Sequence, residues 1–117
     1  YFDQLVNLAP TKPIAIAETG FIAEDIILEY SPSTISGNAL WQRLYLEYLL
    51  TKMNTYQAEF VNWFAIRDYD QLWETIKPSQ PDELGRTWRD TGLIDDMGSP
   101  RESLTLWDEW LGYSVGN

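Results

Sequence analysis

The sequence has 117 residues, enough for one domain with a modest core. It carries 8 Lys+Arg against 18 Asp+Glu, a net charge of −10, so neither a nucleic-acid partner nor an anionic membrane surface meets the basic face it needs. Histidine and cysteine are both absent, which removes thiol chemistry, Ser-His-Asp and Cys-His arrangements, Cys/His zinc sites and disulfides.

The chain begins at Tyr1, and residues 1–8 read as the last turns of a helix whose start is absent. The chain is therefore expected to be a piece of something longer. A turn at 9–13 follows. Then Ile14-Ala15-Ile16-Ala17-Glu18 runs into a Thr-Gly break, the pattern of a buried parallel strand that delivers an acid to the end of a sheet. Ile14, Ile16 and Glu18 share parity, so Glu18 is expected to continue a core-facing row. A carboxylate there needs a partner or a job. The connection over residues 19–36 has no clear period, with a short helical turn expected at 24–30.

Residues 37–54 form the clearest helical pattern. Leu40, Leu44 and Tyr48 make one i, i+4 row, and Trp41, Tyr45 and Leu49 make another. Leu46, Leu50 and Met53 widen the apolar face, and Ser36 or Asn38 can cap the helix. So broad a face suits packing on a sheet and on neighbouring helices. A second apolar run, residues 60–66, ends in Arg67-Asp68. The excursion over residues 69–98 contains a short helix at 70–76, a stop at Pro78-Ser79-Gln80-Pro81 and a tight turn at 92–98. The last helix has a capping-box signal, with Ser99 at N-cap, Pro100 at the first helical position and Glu102 at N3. Leu104, Trp107 and Leu111 are its expected apolar stripe, and Gly112 its end. No apolar run approaches the ~20 residues of a membrane span.

Helix, strand, helix, strand, helix implies an α/β fold with parallel strands and crossover helices. The αβ connections are short and the βα connections long, which places a site at the C-terminal ends of the strands. Glu18, Arg67 and Asp68 lie at those ends. Six Trp, seven Tyr and four Phe form a high aromatic load, read either as large core side chains or as a sugar-binding cleft.

Lys-Pro-Ile-Ala-Ile-Ala-Glu-Thr-Gly-Phe (12–21), Glu-Phe-Val-Asn-Trp-Phe (59–64) and Thr-Gly-Leu-Ile-Asp-Asp-Met-Gly-Ser-Pro-Arg-Glu-Ser-Leu (91–104) with a later Trp together resemble the C-terminal part of clan A glycoside hydrolases. The resemblance spans nearly the whole chain. It implies a C-terminal fragment of a (β/α)8 TIM barrel, from the end of helix 6 through helix 8, with residues 1–117 as one partial domain. It implies retaining hydrolysis of β-glycosidic bonds in a polysaccharide or oligosaccharide, without a cofactor, by a secreted or periplasmic parent protein. Glu18 falls at the nucleophile and Trp63 near the strand-8 tryptophan that floors the sugar subsite, often followed by a cis peptide. Arg101 stands where Lys is frequent. The family's Asn-Glu acid/base has no counterpart in this chain.

Each of these positions has a second reading. Glu18 can be a structural acid paired with an arginine. Trp63 can be core filler. Arg67 and Asp68 can each form a salt bridge instead of a substrate hydrogen bond. Trp73 and Trp88 either pack the long second connection down or line a subsite. Asp95 and Asp96 are explained by the turn, since EF-hand spacing is absent and no metal site emerges. Two strands with open edges cannot close a barrel, which takes ~250 residues. The isolated chain is expected to lack hydrolase activity because the acid/base is missing, and to expose apolar strand and helix faces, so that it self-associates or is complemented by the N-terminal part of the barrel. The rival to a hydrolase is a non-catalytic carbohydrate-binding or interaction fragment, and a weaker one is a lyase or isomerase with Glu18 as general base.

Overall fold

Parallel pairing of two short strands organises the chain. A computed structural model describes residues 2–8, 10–28, 33–79 and 83–112. Helix α1 (Phe2–Leu8) leads into strand β1 (Ile16–Thr19). A small hairpin follows, strands β2 (Ile26–Ile27) and β3 (Thr34–Ile35), then helix α2 (Ala39–Thr55) and strand β4 (Val61–Trp63). Helices α3 (Asp70–Ile76) and α4 (Glu102–Leu111) complete the fold. Strand β4 lies parallel to β1, with α2 as the crossover, so the fold is α/β as its alternation implies. The ladder starts before the strands proper, with Glu59 N donating to Ile14 O at 2.8 Å and Ile16 N to Phe60 O at 3.0 Å. It closes where Phe64 N donates to Thr19 O at 2.7 Å. Beyond that point the second apolar run leaves β1, and Arg67 pairs instead with Ile94.

Asn38 caps α2, its Oδ1 accepting from Trp41 N at 2.8 Å. The buried face of α2 is Gln42, Leu46, Leu49, Leu50 and Met53. The expected row Leu40, Leu44 and Tyr48 is exposed instead, as is Trp41. Among the described residues the sheet and α4 cover one flank of α2, and the row lies off that flank. The core gathers Leu46 and Leu50 of α2, Trp63 of β4, Leu93, and Leu106 of α4. It sits between the two helices and one face of the sheet.

The helical turn expected at 24–30 gives way to the hairpin. Buried Ile26 is β-branched and pairs with Ile35, and Asp25 Oδ1 ties the far end down by accepting from Gly37 N at 2.9 Å. Residues 29–32 lie outside the described residues. In the second connection α3 forms as expected and runs into a 3-10 turn at Lys77–Ser79. Gln80 and Pro81 of the stop signal lie outside the described residues. A further 3-10 turn, Leu84–Trp88, has no counterpart in the sequence reading. The turn before α4 closes with Gly98 N donating to Asp95 O at 3.1 Å, and Gly98 takes a φ of +91° that other residues adopt at a cost.

The capping box does not form. Arg101, not Ser99, is the N-cap residue, and no side chain caps the helix. Pro100 pairs with Ile94, and Arg101 N donates to Leu93 O at 2.9 Å. Residues 100–101 are thus held extended by tertiary pairing, which overrides the local signal, and the helix starts after them. Its buried residues are Ser103 and Leu106, with Trp107 and Trp110 half-buried, while Leu111 is exposed rather than part of the stripe. Among the described residues no helix is long and apolar enough to cross a membrane.

Candidate functional site

The C-terminal end of β1 departs from simple alternation. Ile16 pairs with Val61 and Thr19 pairs with Trp63, so three steps on β1 match two on β4. One extra residue is therefore accommodated between the two pairs, as in a β-bulge. Val61 and Trp63 both pack into the core, and buried Thr19 sits opposite Trp63. Ala17 and Glu18 between the paired positions are exposed. The bulge thus overturns the parity reading: Glu18 does not continue the core-facing row. Among the described residues no hydrogen bond or ion pair reaches its carboxylate, so the arginine partner of its structural reading is not found there.

Residues beside Glu18 are firmly held. Thr19 Oγ1 and Tyr45 OH share a 2.6 Å hydrogen bond, which anchors the strand end to α2. Gly20 follows, and Trp88 and Thr91 press against it. A Cβ at Gly20 would lie 3.1 Å from Trp88 Cζ3 and 3.2 Å from Thr91 Cβ. Trp88 also packs on Phe64, with ring centroids 4.8 Å apart. Trp88, from the second connection, therefore lies against the chain just two residues beyond Glu18.

Trp63 is placed differently. It is 8% exposed within the core, and its indole Nε1 donates to Thr91 O at 2.8 Å. No cis peptide occurs among the described residues, so the bond after Trp63 is trans. Trp73 is buried on α3. Arg67 is exposed and donates from Nη2 to Asp96 O. Asp68 is buried in a fork with Arg101: Oδ2 accepts from Nη2 at 2.7 Å and Oδ1 from Nη1 at 3.0 Å. Asp68 Oδ1 also accepts from Gly92 N at 2.8 Å. Of the six positions singled out in the sequence, Glu18 and Trp88 flank the same strand end. Trp63 lies on the core side of that sheet, and Trp73, Arg67 and Asp68 serve contacts of their own.

Sequence reading missed two features. The first is Gln42, fully buried on the apolar face of α2. Its Nε2 donates to Phe21 O at 3.0 Å, Gly92 O at 3.0 Å and Thr91 O at 3.2 Å, and its Oε1 accepts from Ser103 Oγ. One side chain thus joins both long connections and α4 beneath the strand ends. A polar residue within the apolar face of a predicted helix was the signal, because such a residue must find partners when buried.

The second feature is a charge network. Carboxylate oxygens of Asp68, Asp70 and Asp90 lie within 4.8 Å of one another. That spacing suits a divalent cation. Two guanidinium groups offset part of its charge: Arg89 pairs with Asp90 at 2.7 Å and Asp70 at 3.2 Å, and Arg101 pairs with Asp68 and, at 3.5 Å, with Glu24. The Glu24 side chain is largely exposed, and partial desolvation raises its carboxyl above its ordinary value, with Asp90 adding repulsion. Burial also raises Asp70, and Arg89 pulls it only part of the way back. Burial works against the charge of Arg101, but the hydrogen bonds and charge of Asp68 outweigh it and hold the guanidinium above its usual value. Tyr69, alongside, is pushed up to about 12 by burial and then by Asp90.

No protein-family model, no curated protein and no solved structure matches this chain.

Proposed function

We propose that this chain is the closing part of a (β/α)8 barrel that hydrolyses β-glycosidic bonds in a polysaccharide or oligosaccharide with retention, with Glu18 as the nucleophile. The observation that carries the reading is the state of Glu18: an exposed carboxylate at the C-terminal end of a parallel strand, unpartnered among the described residues, beside both long connections. A bulge that turns a side chain out of the core row is a device met next to active sites. In the reaction Glu18 attacks the anomeric carbon while a second carboxyl group ~5–5.5 Å away protonates the leaving oxygen. Water then hydrolyses the glycosyl ester, and the second group acts as base. In the family this chain resembles, that second group follows an earlier strand, so the reading requires the rest of the barrel.

Glu18→Gln in the full-length protein tests it. The amide keeps the shape and removes the nucleophilic charge, so turnover of an aryl β-glycoside is expected to fall roughly a thousandfold or more. Near wild-type turnover contradicts the assignment. Saccharide binding without turnover in the full-length wild type points instead to a non-catalytic carbohydrate-binding protein.

A further inference from the structure

The residue expected to floor a sugar subsite, Trp63, has no free face for one: it is 8% exposed, and its indole N–H is bound to Thr91 O. A different aromatic surface stands at the same strand end as Glu18, against Thr19 and Gly20. Phe64 follows β4, is fixed by its own N–H on Thr19 O at 2.7 Å, and is 39% exposed. Trp88 packs on it with centroids 4.8 Å apart and an interplanar angle of 45°, and is itself only half-buried. Trp88 is held from below, since its carbonyl accepts from Thr91 Oγ1 at 2.8 Å and Thr91 N at 3.3 Å. Its ring is held from the side by Gly20, where a Cβ would come within 3.1 Å of the ring. Among the described residues nothing accepts from the Trp88 indole N–H.

We propose that Phe64 and Trp88 form the stacking platform for a pyranose ring of the saccharide that Glu18 meets. The proposal rests on the glycosidase reading and names the surface that would hold the sugar. Two rigid rings offer apolar area suited to the C–H face of a pyranose. The indole N–H and the Glu18 carboxylate supply a donor and an acceptor for its hydroxyl groups. A quaternary ammonium ion would also suit a carboxylate beside aromatic faces. It has no acceptor for the indole N–H, so the pair fits a polyhydroxylated ligand better. Gly20 matters here because a Cβ at that position would crowd the Trp88 ring and Thr91, which must then give way slightly.

The test uses the full-length protein, in which the rest of the proposed barrel is present, labelled with ¹⁵N at its tryptophan indoles. The probes are cellohexaose, xylohexaose, mannohexaose and β-1,4-galactohexaose, with tetramethylammonium as the cationic comparison. The Trp88 signal, assigned by triple resonance and checked by its loss in Trp88→Phe, is expected to shift with at least one saccharide, and the signals of Trp63 and Trp73 to stay in place. Phe64→Ala is expected to weaken that binding about tenfold, and Phe64→Leu, which keeps the volume without the ring, to weaken it too. A Trp88 signal unmoved by all four saccharides, or moved by tetramethylammonium alone, overturns the proposal. Labelling of Glu18 by a 2-fluoro glycoside in the full-length protein separates the two readings. Labelled Glu18 with an unmoved Trp88 removes the platform and leaves the nucleophile. A saccharide-shifted Trp88 with unlabelled Glu18 keeps the platform and removes the nucleophile.

Discussion

Asp68 and Arg101 form a buried pair whose loss on one side leaves the other charge without compensation. Asp68→Ala is therefore expected to cost about 3–5 kcal/mol, measured by urea unfolding. That is a large share of the ~5–15 kcal/mol typical of a folded domain. A loss below 1 kcal/mol, roughly that of an exposed pair, contradicts this account. Gly92 belongs to the same knot, because a Cβ there would lie 2.6 Å from both Arg67 C and Asp68 Oδ1. Tyr69 adds a pH effect. Its phenol is pushed from an ordinary 10.0 up to about 12 by burial and then by Asp90, and its OH donates to Gly85 O at 2.6 Å. The folded chain keeps this proton where the unfolded chain loses it. The stability it contributes is present below pH 10 and is lost as pH rises toward 12. Tyr69→Phe is expected to flatten that alkaline loss in denaturant midpoints measured between pH 9 and 12. An unchanged slope contradicts it. For Glu24 and Asp70 the raised carboxyls act in the acid range: their contribution is present below the ordinary 4.5 and 3.8 and is lost as pH rises through the higher folded values.

At the scale of elements, α2 does two jobs. It bridges the parallel strands, and through Gln42 it ties down both long connections at the strand ends. Gln42→Ala removes donors from three backbone carbonyls and leaves a cavity, so a loss of about 2–4 kcal/mol is expected. The same variant is expected to loosen residues 91–92, read as faster amide exchange there than at Leu49. Uniform exchange rates contradict that role. The order of elements was legible in the sequence because it depends on local signals. Ile14 and Ile16 before Glu18-Thr19-Gly20, the apolar face from Trp41 to Met53 and the Asn38 cap each report on their own neighbourhood. What failed depends on distant partners. The parity of Glu18 is set by the register of β1 against Val61 and Trp63. The start of α4 is set by the pairing of Pro100 with Ile94 and the hold of Asp68 on Arg101, so the Ser99 signal was outvoted. Gln42 was visible only as a polar break in an apolar face. The hairpin Ile26–Ile35 lay in a stretch with no period to read.

At the scale of the whole molecule, β1 and β4 form a two-stranded sheet, so each has an unpaired edge among the described residues. Leu40, Trp41, Leu44 and Tyr48 add an exposed apolar row on α2, and Phe60 and Ile66 are exposed as well. Such surface is expected to be covered by other protein, either the rest of the barrel proposed above or a second copy. Light scattering is therefore expected to show concentration-dependent association of the 117-residue chain, and the barrel proposal adds that co-expression with its N-terminal part suppresses it. A monodisperse, protease-resistant monomer contradicts this. The role of Glu18 is tested most directly by incubating the full-length protein with a 2,4-dinitrophenyl 2-deoxy-2-fluoro-β-glycoside and mapping the adduct by peptide mass spectrometry. The activated leaving group needs no acid, and the fluorine slows release of the ester, so a stoichiometric adduct on Glu18 is expected. Turnover without an adduct, or an adduct on another carboxylate, contradicts Glu18 as the nucleophile.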